Sequence, residues 1–141
     1  MFQKILVPVD GSPISDAGIS LAIKLAAPLH AKVRFVYVVE PARVLEVASA
    51  PITVLEPDIA KAAGKEFLAE AVARARSAEV NTSSELAEGP ATDKILEAAR
   101  SFGADVIVMG THGRGGIMRA VLGSVAEGVI RRAHIPVLVT R

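Results

Sequence analysis

Short, uninterrupted apolar runs recur along this chain, and segments of helical periodicity separate them. "KILVPV" (4–9), "KVRFVYVV" (32–39), "ADVIVMG" (104–110) and "IPVLVT" (135–140) read as strands: short, rich in β-branched residues, bounded by turn residues. "NTSSELAEG" (81–89) reads as a weaker, more polar strand of the kind found at a sheet edge. Helical patterns cover 13–29, 57–77, 90–103 and 124–133. A strand that is apolar at every position must be covered on both faces. Strands alternating with helices supply that cover through right-handed crossovers. The expected fold is therefore an α/β one: an open five-stranded parallel sheet with helices on both faces, a three-layer α/β/α sandwich.

Local signals place the helices. In 13–29, Ile14, Gly18, Leu21, Ala22, Leu25 and Leu29 form the expected inner stripe, with Ser12 as N-cap and Pro13 at the first helical position. In 57–77 the stripe reads Ile59, Ala63, Phe67, Ala71 and Arg74. Pro90 opens the helix of 90–103 and Gly103 closes it. Three of the eight prolines fall in 41–57, so 40–56 is expected to be a connection with at most a short helical piece.

With 141 residues, half of them apolar, the chain suits one domain (1–141) with a full core and no staples. The absence of cysteine excludes disulfides, thiolate metal sites and cysteine nucleophiles, and fits a reducing cytoplasm. A net charge of +1, four phenylalanines and one tyrosine give no nucleic-acid footprint. The apolar run near the start ends at Asp10, too short for a signal peptide, and no stretch approaches the ~20 residues of a membrane span. A soluble cytoplasmic domain that engages neither membrane nor nucleic acid is expected.

One loop departs from this plain picture. "GTHGRGGIMRAVLGS" (110–124) holds five glycines, two arginines and a histidine, and no acid. It joins a strand end to a helix start. Gly110 and Gly113 would let the backbone turn with positive φ and approach a ligand closely. Freed N–H groups would converge on an anion, and Gly123 and Ser124 would present the amides and dipole of a helix N-terminus. Arg114 and Arg119 add uncompensated positive charge, and His112 is a further donor. A competing reading of "SVAE" (124–127) is a capping box in which Ser124 and Glu127 only satisfy helix-end amides.

Asp10 stands at the end of the first strand. Its carboxylate could accept hydrogen bonds from a ribose or a base, or hold phosphate-bound Mg²⁺ through water; its structural alternative is an Asx-turn before Gly11. Both loops leave carboxyl ends of strands, where open α/β sheets bind ligands, and adjacent first and fourth strands would make this a switch point. Other motifs fail. There is no GxxxxGK[ST], no GxGxxG after the first strand, no G-x-S-x-G and no histidine cluster at ligand spacing, so no protein-built metal site is expected.

Gly110-x2-Gly113-x9-Gly123-Ser124 resembles the G-2x-G-9x-G-[ST] nucleotide motif of the universal stress protein family. "KILVPVDGS" and "PVLVTR" resemble that family's first and last strands, and the similarity runs over essentially the whole chain. The resemblance implies strand order 3-2-1-4-5 and an adenine nucleotide, ATP, ADP or AMP, at the switch point, with any Mg²⁺ held through the phosphates. Pro8, Val9 and Asp10 would line its base and ribose. Val38 would offer backbone contacts to adenine. Met109, Gly110, His112, Gly113 and Arg114 would follow the ribose and first phosphates, and Gly123, Ser124, Val125 and Ala126 the outer phosphates. Nucleotide-binding members often carry a hydroxyl residue two after the serine; Ala126 lacks one, which favours the AMP moiety over the γ-phosphate.

The family is also generally dimeric, and the apolar, lysine-free last strand has no helix after it to cover it, so self-pairing through that edge is expected. No residue stands out as a positioned general base, and no catalytic residues are assigned. The expected function is a nucleotide-binding regulator of stress response with at most slow ATP hydrolysis. The alternatives are an ATP-using enzyme of a related adenylating fold and a partner-binding dimer without nucleotide.

Overall fold

The computed structural model describes residues 2–40, 57–111 and 123–141. In chain order these form β1 (Lys4–Pro8), α1 (Pro13–Leu29), β2 (Lys32–Val39), α2 (Pro57–Ser77), β3 (Asn81–Glu88), α3 (Ala91–Phe102), β4 (Val106–Gly110), α4 (Ser124–Arg132) and β5 (Val137–Thr140). All pairings are parallel, in the order β3-β2-β1-β4-β5. Chain direction across the sheet reverses between β1 and β4, as the resemblance implied. The connection expected at 40–56 falls almost wholly outside the described residues.

The strands are apolar throughout because each feeds two cores. Ile5 and Val7 of β1, Val33 and Phe35 of β2, and Val106 and Val108 of β4 face α1 and α2. Leu6, Val36, Ile107 and Met109, which alternate with them, face α3 and α4. Period-2 alternation thus divides one continuous run into two half-cores. β3, expected as an edge, lies at one edge and has no fully buried residue. No described helix is long and apolar enough to cross a membrane.

Two helical stripes differ from the sequence expectation. In α1 the buried residues are Ser15, Gly18, Ile19, Ala22 and Ala26, whereas Leu21 and Leu25 are only partly buried and Leu29 is 48% exposed. In α2 they are Gly64, Leu68, Ala71 and Ala75, and Ile59 is 54% exposed. Apart from Ile19 and Leu68, the inner stripe consists of small residues. They let the helices sit close to a sheet whose own side chains fill the space, so hydrophobicity alone misplaces the stripe.

The helix ends follow local chemistry. Ser12 caps α1, its Oγ accepting the Ser15 amide at 3.1 Å, and Gly103 closes α3 in the left-handed region at φ 71°. The capping box at α4 does not form. Gly123 is the N-cap, no side chain caps the helix, and Ser124 is its exposed first residue. Placing serine inside the helix aims its hydroxyl away from the amides that a cap must reach.

Candidate functional site

The carboxyl end of β1 runs into a small closed set of hydrogen bonds. The Asp10 amide donates to Ser15 Oγ at 3.1 Å, the Ser15 amide to Ser12 Oγ at 3.1 Å, and the Ser12 amide to Asp10 Oδ1 at 2.8 Å. Ser12 and Ser15 are both buried. The set locks the Asx-turn and the first turn of α1 together, and it fixes where the Asp10 carboxylate stands. Gly11, between them, has φ 81° and lies under the Phe67 ring, where a Cβ would collide with three ring carbons. A cavity of about 80 Å³ remains beside it, lined by Val9, Ser12, Phe67 and Arg74 among others, well under the ~300 Å³ of a small-molecule pocket.

Val9 is buried on the α1/α2 side, and its amide donates to the Val36 carbonyl at 2.8 Å. Only its carbonyl edge is left to face a ligand. Val38 and Met109 lie on the opposite side of the sheet, in one apolar cluster with Val125 and Ala126. Pro8, two residues after Leu6, shares that side by strand alternation. Pro8, Val38 and Met109 thus occupy the carboxyl ends of β1, β2 and β4 over one face, next to the start of α4.

Gly110 differs from the sequence expectation in its reason. It is the last residue of β4 and is not among the positive-φ glycines. A Cβ there would run into Ile14 Cγ2 and come within 2.8 Å of the Ile14 carbonyl oxygen. The glycine is demanded by the first turn of α1 crossing the strand end, whatever else binds there. His112, Gly113 and Arg114 lie outside the described residues.

The ends of the glycine loop are fixed. The Thr111 amide donates to the Thr140 carbonyl at 3.0 Å, and the Gly123 amide donates to the Thr111 carbonyl at 2.5 Å. The strand end and the helix start are therefore joined directly. The Gly123 amide is committed to that bond. The first helical bond runs from the Glu127 amide to the Gly123 carbonyl at 2.9 Å, so the amides of Ser124, Val125 and Ala126 begin α4 without an intrahelical acceptor. Among the described residues no side chain caps this positive end of the helix dipole.

Three residues that set this geometry carry no signal in a ligand motif. Ser15 holds the Asp10 loop, Ile14 dictates Gly110, and Thr111 pins both ends of 112–122. The "DGSPIS" pattern contains a signal for Ser15, a hydroxyl three residues after the N-cap. Ile14 and Thr111 act through contacts that span the chain and have none. Among the described residues, no group of three His, Cys, Asp or Glu side chains is arranged to hold a metal.

Comparison with known proteins places this geometry in context. The family model described as "Universal stress protein family" matches residues 1–141. A universal stress protein of Methanocaldococcus jannaschii is 37% identical over 141 residues, covering all of this chain and 83% of that one. A universal stress protein solved in complex with cAMP is 27% identical, with a TM-score of 0.75 over 99% of this chain and 97% of that one. One from Archaeoglobus fulgidus, solved in complex with dAMP, is 26% identical, with a TM-score of 0.72 over 99% and 98%.

Proposed function

Because this chain belongs to the universal stress protein family, we propose that it binds an adenine nucleotide at the carboxyl ends of β1 and β4 and acts as a cytoplasmic regulator of stress response. The observation that carries the reading is the open start of α4. Three consecutive main-chain amides, with no capping side chain among the described residues, begin the helix that the Gly123–Thr111 bond ties to the end of β4. Such amides and the helix dipole favour a phosphate. Two similar proteins of the same fold hold adenine nucleotides, cAMP in one and dAMP in the other.

In this reading Pro8 and Val38 give an apolar edge to the base, and the Val9 carbonyl and Asp10 carboxylate face the base and ribose. Met109 and Gly110 lie along the ribose; His112, Gly113 and Arg114 follow the first phosphates. Ser124, Val125 and Ala126 meet the outer phosphates with their amides, with Gly123 as the hinge behind them. Ala126 contributes no hydroxyl, and its side chain is buried in the α3/α4 cluster. The AMP portion therefore carries most of the affinity. ATP binds with any Mg²⁺ on its phosphates, and its turnover is slow at most.

The same reading makes the protein a dimer through β5. Among the described residues that strand pairs with β4 alone, and Leu138 and Val139 are 38% and 36% exposed, as is Ile130 of α4 at 40%. An apolar parallel edge of this kind is satisfied by a second copy about a two-fold axis.

Calorimetric titration with AMP and with Mg-ATP tests the nucleotide directly. Saturable binding is expected, with thermal stabilisation of about 2.7 kcal/mol at a hundredfold excess over Kd. No heat and no change in Tm with either ligand would remove the nucleotide from the function. A steady-state phosphate-release assay on the same sample would show fast multiple turnover if the chain were an ATP-using enzyme.

A further inference from the structure

At the amino end of the sheet, opposite the carboxyl ends of β1 and β4, lies a cleft of about 360 Å³. Lys4, Lys32, Arg34, Ser83 and Phe102 contribute to its walls. The three cations arrive on one face by strand alternation: Lys4 precedes Leu6, and Lys32 and Arg34 precede Val36, both of the α3/α4 core. Register sets Lys4 directly beside Lys32 across β1 and β2. Like charges directly opposite one another on neighbouring strands are destabilising.

The surrounding protein offsets this only in part. The Lys4 ammonium lies 5.6 Å and the Arg34 guanidinium 4.5 Å from the centroid of the Phe102 ring. The carboxyl end of α3, capped at Gly103 beside Lys4, offsets a further part of one positive charge. Arg34 Nε donates to Ser83 Oγ at 3.0 Å, and its Nη1 is 4.0 Å from Glu85 Oε2, beyond hydrogen-bond distance. The Asp105 carboxylate accepts from the amides of Gln3 and Lys4 instead. Among the described residues neither Lys4 nor Lys32 forms an ion pair. Glu85 and the amide-bound Asp105 are thus the carboxylates set against the three cations.

We propose that this cleft is a second ligand site, one that takes a phosphate group, at the opposite end of the strands from the nucleotide. The chemistry is that of a tetrahedral oxyanion. Arg34 offers the planar fork that pairs with two oxygens, and Lys4 and Lys32 are point charges on either side. Converging charge in a walled cleft raises the local concentration of an anion. Inorganic phosphate and a phosphomonoester share this chemistry. The site stands independently of the nucleotide reading, since none of its residues lies near the carboxyl ends of β1 and β4.

The test is an amide NMR titration at constant ionic strength, with sodium chloride as the exchange salt. The probes are inorganic phosphate, glycerol 3-phosphate and glycerol. Phosphate is expected to produce saturable shifts at Val33, Arg34, Ser83 and Phe102, with glycerol silent. Comparable affinity for glycerol 3-phosphate identifies a phosphomonoester site, and preference for phosphate an inorganic one. Lys32→Gln, at an exposed position, and Arg34→Gln, at a half-buried one whose melt must first show the fold retained, should each weaken binding roughly tenfold or more, the size of one charge-assisted hydrogen bond. In thermal melts the rise in Tm specific to phosphate over chloride should disappear in Lys32→Gln. Shifts that chloride reproduces, shifts confined to Ser124–Ala126, or variants with undiminished affinity would each overturn the site.

Discussion

Asp10 has two separable duties. Its Oδ1 closes the turn by accepting the Ser12 amide at 2.8 Å, and in the proposed function its charge faces the ribose. Asp10→Asn keeps an acceptor for the Ser12 amide and removes the charge; Asp10→Ala removes both. Nucleotide affinity by calorimetry should fall in both variants, while stability in urea should fall by about 1 kcal/mol only in the alanine. Equal nucleotide affinity in wild type and Asp10→Asn would confine Asp10 to the turn. Gly110 and Gly18 make a complementary pair. A Cβ on Gly110 meets the Ile14 carbonyl at 2.8 Å, and backbone cannot step aside, so Gly110→Ala should destabilise by about 1–3 kcal/mol. A Cβ on Gly18 meets atoms no nearer than 3.5 Å, in the interior of α1, so Gly18→Ala should stabilise by about 0.5–1 kcal/mol. Gly113→Val should abolish nucleotide binding with the melting curve unchanged, if the phosphates pass that point of the backbone.

For the elements, the ends were more legible than the faces. Ser12-Pro13 and Gly103 carry chemistry that works over three or four residues, and both ends form where that chemistry predicts. Ser12→Ala should cost about 1 kcal/mol in a denaturant melt, since Ser12 Oγ is the acceptor for the Ser15 amide; a loss under a few tenths would mean that the turn holds without its cap. The same local logic fails at α4, where "SVAE" suggests a box and the chain instead begins the helix at Ser124. There the bond from Gly123 to Thr111 positions the helix start. The expected faces hold at Gly18, Ala22 and Ala71 and fail at Leu21, Leu25, Leu29 and Ile59, apolar side chains that periodicity places inside. The buried residues are Ser15, Gly18, Ile19, Ala22 and Ala26 of α1 and Gly64, Leu68, Ala71 and Ala75 of α2, most of them small. Helix-to-sheet distance selects for size, and size is invisible to a pattern of apolar and polar letters.

At the scale of the whole molecule, the two half-cores lie on either side of the central strands, and the two candidate sites lie at opposite ends of those strands. The exposed edge of β5 bears on assembly. Leu138→Lys places a charge on that edge outside both cores, and sedimentation should shift from dimer to monomer with the melting temperature of the monomer fold retained. A wild type that sediments as a monomer at micromolar concentration would remove the edge from the proposal. If dimer and nucleotide are coupled, saturating AMP should also lower the dimer dissociation constant; by linkage, dimerisation would tighten AMP by the same factor.

The sequence by itself determined the layers and the elements of this protein, because apolar runs without alternation can be buried only between two sheets of helices, and because caps act within one turn. Its glycine spacing marked the loop and the family. Which side chains share a face, why Gly110 has no Cβ, what closes the ends of the glycine loop and where three cations gather were decided only by the tertiary structure. Each depends on residues brought together from distant parts of the chain: Ile14 with Gly110, Thr111 with Gly123 and Thr140, Lys4 with Lys32 and Phe102. Such contacts follow from strand order and register, which no local pattern encodes.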